Sequence, residues 1–250
     1  MANIRNSKMI IILTGAGISA ESGVKTYRSD TGLWEQHSIE DIATPEGFER
    51  DPGKVRAFYD ARLDAVRAAE PNAAHLALSR LERESQVPVL VVTQNVDDLH
   101  ERAGSRRVLH MHGRLGAPVC AGCGAGLPGE RLEGQPPCPA CGGQARPDIT
   151  FFGEQPKHLE EIAEALSQVT IYISIGTSGE VFPAARFVRR ARKRKARRIE
   201  VNIRRTRITN DHRELRHGPA SIEVPTLVRE ILAEQLELDR QEGAGPDGQN

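Results

Sequence analysis

The chain has no uninterrupted apolar run near the roughly 18 residues that a membrane-spanning helix requires, and its N-terminus lacks the long apolar stretch of a secretory signal. A soluble, cytoplasmic protein is the resulting expectation. Neither sign of charge is in excess, with 34 Lys and Arg against 34 Asp and Glu. The overall balance therefore implies no nucleic-acid or membrane partner, and either would need a local patch. Cysteine is sparse, four in 250 residues, and its paired spacing points to a metal site in a reducing compartment rather than to two disulfides. What is present suffices for a fold. A hydrophobic content of 38% over this length supports a sizeable core, in one large domain or in a large one carrying a small insert.

Strand-like runs occupy residues 9–14, 88–93, 170–175 and 198–203, and helix-like charged segments such as 157–168 and 183–196 separate the later ones. That alternation predicts an α/β protein, a Rossmann-like parallel sheet with helices on both faces. About 70 residues part the first two strands, far more than a simple crossover needs, with helical patterning at 54–69 and 73–84. Together with a Gly-, Pro- and Ala-rich stretch from Cys120 to Cys141, they predict a small inserted zinc-binding and helical domain. The expected division assigns residues 1–30, 76–113 and 149–240 to the nucleotide-binding domain and 31–75 and 114–148 to the small one. Residues 241–250 form an expected disordered tail.

The first strand-like run leads straight into Gly15-Ala16-Gly17-Ile18-Ser19-Ala20-Glu21-Ser22-Gly23. Gly15, Gly17 and Ala20 fit the relaxed dinucleotide fingerprint, in which small residues let the backbone turn off the strand and approach a pyrophosphate. An ordinary dehydrogenase would add a second strand about 20 residues on, ending in an acid for the adenosine ribose. Residues 35–70 supply acids but no strand-like run. The loop thus predicts a dinucleotide without predicting redox chemistry.

Cys120-Ala121-Gly122-Cys123 and Cys138-Pro139-Ala140-Cys141 are two Cys-x-x-Cys knuckles with residues 124–137 between them. Each knuckle can set two sulfurs on one ion, with Gly122, Gly124 and Gly142 easing the tight backbone. Four thiolates fill a tetrahedral zinc, so Cys120, Cys123, Cys138 and Cys141 should hold the insert together rather than activate water.

A polar cluster follows the second strand: Gln94-Asn95-Val96-Asp97-Asp98-Leu99-His100, then His110-Met111-His112-Gly113. Ligands of open α/β sheets gather beyond the carboxyl ends of the strands, where this cluster falls. Asn95 and Asp97 can together read a carboxamide, the group that nicotinamide carries. His112 is the best candidate base of the three histidines, because Gly113 beside it leaves room for substrate and imidazole titrates near working pH. Any single histidine can equally be a satisfied structural residue.

The ordered set of Gly-Ala-Gly-Ile-Ser at 15–19, Thr-Gln-Asn-Val-Asp at 93–97, His-Gly at 112–113, the four cysteines, Phe-Gly-Glu at 152–154, Gly-Thr-Ser at 176–178 and Asn202 closely resembles the sirtuins, the NAD-consuming protein lysine deacylases. The resemblance spans residues 9–232. It implies that Gly15, Ala16, Gly17, Ile18, Ser19, Glu21, Arg28 and Trp34 line or close an NAD pocket. It further implies that Asn95 and Asp97, flanking Val96, hold the carboxamide and that Gln94 contacts its ribose. Gly176, Thr177 and Ser178 would meet phosphate and ribose, Asn202 with Ile203 and Arg204 the adenosine ribose, and Ala220 the adenine. Phe152, Gly153 and Glu154 would lie beside a substrate peptide added as a strand. In the family's reaction the acyl oxygen of a modified lysine attacks the ribose carbon bearing nicotinamide. His112 would be the general base, and free lysine and 2′-O-acyl-ADP-ribose result. Its activity should fall below a pKa of about 6.5.

Tyr59 and Arg62, three apart in a helix-like run, share a face. Alone they read as an exposed helix face. The resemblance makes them the pair that marks the bacterial succinyl- and malonyl-removing branch, an Arg fork and a Tyr hydroxyl suiting a carboxylate. Two positions depart from most sirtuins: Tyr27 stands for Phe and Lys25 for Pro. The run Arg189–Arg198 concentrates positive charge; a solvated helix end is favoured over a nucleic-acid surface. A protein ADP-ribosyltransferase and a zinc-ribbon nucleic-acid-binding protein are the competing classes. The second leaves Gln94–Asp97 and His112 unexplained.

Overall fold

The computed structural model describes residues 9–25, 33–34 and 37–243. Strand β1 (Met9–Thr14) is buried along its whole length, as a continuous apolar run in a parallel sheet should be. Next come a short antiparallel pair, β2 (Leu33–Trp34) and β3 (His37–Ser38), then helices α1 (Ile39–Ile42), α2 (Pro45–Arg50), α3 (Pro52–Ala68) and α4 (Ala73–Glu84). The chain continues through β4 (Val89–Thr93), α5 (Leu99–Arg102), β5 (Val108–His110), the antiparallel pair β6 (Gly113–Cys120) and β7 (Ala145–Ile149), and α6 (Leu159–Ser167). It ends with β8 (Val169–Ile175), α7 (Phe187–Lys193), β9 (Arg197–Asn202), β10 (Glu214–His217) and α8 (Ala220–Gly243).

Six strands pair in parallel in the order β10-β9-β8-β1-β4-β5. Counted along the chain this is the dinucleotide-binding order 3-2-1-4-5-6. Successive β1 side chains serve opposite faces. Ile10 and Ile12 pack with Leu78 and Leu81 of α4 and Val224 and Leu227 of α8; Ile11 and Leu13 pack with Ile162 and Leu166 of α6 and Val188 of α7. A separate core joins the helical insert to the cysteine-bearing segment: Ile42, Phe48, Val55, Phe58 and Tyr59 meet Leu132, Ala145, Ile149 and Phe151.

Helix starts follow local chemistry. Asp51 accepts the Lys54 N–H at 2.9 Å ahead of Pro52 in the first turn of α3, and Asn72 accepts from Ala74 at 2.9 Å while the His75 ring accepts the Asn72 N–H at 3.3 Å, caps that satisfy otherwise orphaned donors. The expected strands fall within a residue of β1, β4, β8 and β9. Short β5 and β10, and β6 with its Gly and Pro, carry too little alternation to be read from sequence. The expected helix over 183–196 narrows to α7, and α4 begins three residues before the expected boundary at 76. Helix α8 runs through Gly243, so 241–243 are helical; residues 244–250 lie outside the described residues. Among those described, no helix is long and apolar enough to cross a membrane.

Candidate active site

The chain leaves β1 toward β4 on one side and resumes the sheet at β8 on the other. At that switch point, beyond the carboxyl ends of the strands, lies a cavity of about 580 Å³. The loops after β1 and β8 form its floor by touching backbone to backbone: Gly15 N–H donates to the Ile175 carbonyl at 3.0 Å and Gly17 N–H to the Gly176 carbonyl at 2.9 Å. A Cβ on Gly17 would stand 2.6 Å from Gly176 Cα, and one on Gly176, at φ +60°, 2.5 Å from Ile18 N. These glycines are therefore required by loop-to-loop contact, a constraint that the fingerprint alone does not reveal. Gly15, Ala16, Gly17, Ser19, Glu21 and Trp34 line the cavity. Ile18 does not; its side chain is fully buried in the sheet core. Glu21 accepts the Ser221 hydroxyl at 2.6 Å and the Ser221 N–H at 3.0 Å, tying the loop to the start of α8. Tyr27 and Arg28 lie outside the described residues.

Gln94, Asn95, Val96, Asp97 and His112 line one end. Asn95 Nδ2 donates to the Gly15 carbonyl at 3.2 Å and to Ser19 Oγ at 3.1 Å, and Ser19 Oγ donates to Asp97 Oδ2 at 3.0 Å. Burial raises the Asp97 pKa, opposed by the Ser19 hydroxyl and the Leu99 N–H. Gln94 Nε2 donates to Thr177 Oγ1 at 2.9 Å, bridging to the β8 loop. His112 Nδ1 lies 3.0 Å from the Gln94 carbonyl. A carbonyl can only accept, so Nδ1 carries the proton and Nε2 is left as the basic atom. Burial lowers the His112 pKa, with the Gln94 carbonyl partly opposing.

The other two histidines of the cluster are structural. His100 is fully buried against Thr14 Oγ1 at 3.0 Å, and His110 sits between the Asn95 carbonyl at 3.1 Å and Glu101 at 2.7 Å. Gly113 has a different reason from the room for substrate expected of it. At φ +81° its Cβ would strike the Asp148 carbonyl oxygen at 1.7 Å, so the β6–β7 pairing demands glycine.

Gly176 and Thr177 line the cavity between the two loops, and Ser178, Asn202, Ile203, Arg204 and Ala220 line it further on. Asn202 Nδ2 donates to the Thr177 carbonyl and its Oδ1 accepts the Ile203 N–H, both at 2.9 Å.

Tyr59, Arg62, Phe152, Gly153 and Glu154 line the same cavity. The exposed-face reading of the first two is overturned: Tyr59 is 1% and Arg62 4% exposed. Arg62 donates to the Lys25 carbonyl at 3.2 Å and stacks 4.8 Å over Trp34. The Tyr59 hydroxyl, whose pKa burial raises, has no hydrogen-bond partner among the described residues. Sequence reasoning missed Arg146. It grips both Glu154 carboxylate oxygens at 2.7 and 2.9 Å, donates to the Ile149 carbonyl at 3.0 Å and lies 4.2 Å from the Phe151 ring, fixing the Phe151–Glu154 backbone. Its partners follow from the bend after β7, so no local motif announces it.

All four cysteines are free thiols, which excludes disulfides, and their sulfurs lie within 4.8 Å of one another. Cys120 and Cys141 sulfurs are 3.4 Å apart and those of Cys123 and Cys138 3.8 Å, close to the roughly 3.8 Å edge of a zinc tetrahedron with Zn–S of about 2.3 Å. Matching turns close both knuckles, Gly124 N–H to the Cys120 carbonyl at 2.9 Å and Gly142 N–H to the Cys138 carbonyl at 2.8 Å. The donor set suits one zinc ion and leaves it no open position; none of the four lines the cavity.

Half of the basic run is used inside the protein. Arg189 and Arg192 face Asp211 at 2.9 and 3.7 Å, Arg197 pairs with Glu214 and Glu234 at 2.7 and 2.6 Å, and buried Arg198 donates to the Asp211 and Ala196 carbonyls. Arg190, Lys193, Arg194 and Lys195 stay exposed around the C-terminal end of α7, where cations complement the helix dipole.

Comparison with known proteins fits this geometry. Residues 15–183 match the model of the Sir2 family. A Bdellovibrio bacteriovorus protein named NAD-dependent protein deacylase is 51% identical over 240 residues, covering 92% of this chain and 99% of that protein. A solved Sir2 homologue in complex with NAD superposes with a TM-score of 0.83 at 37% identity, covering 91% of this chain and 90% of that one. A Sir2 complex with a p53 peptide and NAD+ gives 0.75 at 29% identity, with 90% and 92% covered. With the sheet order, the two glycine loops and His112 all in place, the chain belongs to the Sir2 family.

Proposed function

We propose that this chain is an NAD-dependent protein-lysine deacylase that removes succinyl and malonyl groups as well as acetyl groups. One observation carries the proposal: a single cavity is lined by Asn95 and Asp97, by His112 with its Nε2 left basic, and by buried Tyr59 and Arg62. The relative named a deacylase and the Sir2 complexes with NAD and with a peptide support it.

In this reading bound NAD supplies an electrophilic ribose carbon from which nicotinamide departs. Asn95 and Asp97 hold the carboxamide, and Gln94, braced on Thr177, meets the nicotinamide ribose. His112 Nε2 takes a proton from a ribose hydroxyl as general base. Phe152, Gly153 and Glu154, held by Arg146, take the peptide backbone as an added strand. Arg62 offers a guanidinium and Tyr59 an unpartnered hydroxyl to an acyl carboxylate. Gly176 and Ser178 serve phosphate and ribose, and Ala220 the adenine. Two lobes meet at the cavity, the six-stranded sheet with its helices and the helical insert with the zinc ribbon. A reducing compartment, the cytoplasm, suits cysteines that are to bind metal.

The test is to incubate the protein with NAD and acetyl-, malonyl- or succinyl-lysine peptides and to follow masses. Free lysine, nicotinamide and 2′-O-acyl-ADP-ribose are expected. ADP-ribose retained on protein with the acyl group untouched would replace this reading with a transferase.

A further inference from the structure

A dinucleotide site of the dehydrogenase type grips an adenosine ribose with an acid, whereas an arginine at that place accommodates a 2′-phosphate. Here the residue assigned to that ribose is Asn202, which is neutral and engaged at both ends of its amide. Two residues on, Arg204 lines the cavity and is exposed, and it makes no hydrogen bond or ion pair with any described residue. Neighbouring arginines differ in this respect. Arg205 donates to Asn210 at 2.9 Å, and Arg207 pairs with Glu180 at 3.0 Å.

The carboxylates that line the cavity are committed elsewhere: Glu21 to Ser221, Asp97 to Ser19 and Glu154 to Arg146. None of them pairs with Arg204. Helix α8 starts at Ala220 in the same lining, with the Glu21 carboxylate accepting the Ser221 N–H of its first turn.

We propose that this site binds dinucleotides phosphorylated on the adenosine ribose, of the NADP class, in competition with NAD, with Arg204 gripping the 2′-phosphate. The proposal rests on the placement of adenosine at Asn202 in the deacylase reading. A guanidinium fork matches a phosphate with two parallel hydrogen bonds. An unphosphorylated ribose offers it no such partner.

The experiment is calorimetric titration of the full chain with NAD, NADP and inorganic phosphate, for the native protein and for Arg204→Glu and Arg204→Lys, with thermal melts to confirm folding. The native protein should bind NADP within about tenfold of NAD, and NAD should displace it. Arg204→Glu should weaken NADP at least about tenfold more than NAD, with Arg204→Lys between. Inorganic phosphate at the same concentrations should leave the NADP isotherm unchanged. NADP binding more than about a hundredfold weaker than NAD, or equal losses for both ligands in Arg204→Glu, would overturn the proposal. If NAD itself fails to bind, the deacylase reading falls; if NAD binds and is turned over while NADP does not compete, only this proposal does.

Discussion

At one end of the cavity Asn95 and Asp97 are 7% and 3% exposed and linked through Ser19, and His112 is bonded to a backbone carbonyl. At the other, Ile203 is 74% exposed and Arg204 stands free among the described residues. The end proposed for nicotinamide is preorganised: its polar groups are fixed before substrate arrives and desolvated enough for their charges to matter. The end proposed for adenosine is a rim, where a side chain can change its ligand without disturbing the sheet. In the proposed reading, chemistry and cofactor choice are thereby separated within one site.

The largest effect should come from the preorganised end. His112→Ala removes the only histidine among the described residues that line the cavity and should lower deacylation by about 10²–10⁴-fold, the usual worth of a general base, with the thermal melt nearly unchanged. Wild-type turnover in that variant would dismiss His112. Gly17→Ala attacks what both ends share. Its Cβ would press on Gly176 at 2.6 Å, so a loss of about 1–3 kcal/mol in urea unfolding is expected, together with weaker NAD binding. An unchanged denaturation midpoint would mean that the two loops part freely. Arg62→Met should be narrower. Losing a charge-assisted hydrogen bond predicts desuccinylation falling about tenfold or more against deacetylation; because Arg62 also braces Lys25 and Trp34, the ratio of kcat/KM values is the quantity to compare, and parallel losses would sink the carboxylate pocket.

The parallel sheet was legible because β1, β4, β8 and β9 are fully or largely buried strands, and such strands announce themselves as continuous apolar runs. The zinc ribbon was legible because four thiolates at fixed spacing need no tertiary context. What stayed hidden depends on approach across the chain. The contact of Gly17 with Gly176 and that of Gly113 with Asp148 are set by loops that meet only after folding, and Arg146 reaches Glu154 because the chain bends after β7. Tyr59 and Arg62 looked like an exposed stripe because α3 packs under Phe151 and Trp34, neighbours that helical periodicity cannot name.

The smallest effect on turnover lies in the pH profile, and it too divides the two ends. The proposed mechanism uses His112 as a neutral base, and burial lowers its pKa from the ordinary 6.5. The acid limb of kcat/KM should therefore sit below pH 6.5, not at it. Stability has an acid limb of its own. Burial pushes His75 down to about 4 and lowers His100 as well. A histidine kept neutral by folding takes up its proton more readily when unfolded, so stability is complete above about pH 6.5 and declines as pH falls toward 4. His75 alone would account for about 3 kcal/mol of that decline. Urea unfolding at each pH separates the two limbs, since His112→Ala should keep the losses due to His75 and His100. Among the described residues no histidine lines the end proposed for adenosine, so adenosine affinity should stay flat wherever the fold is intact. A kcat/KM limb at or above pH 6.5 in fully folded protein would mean that the titrating base is not this buried imidazole.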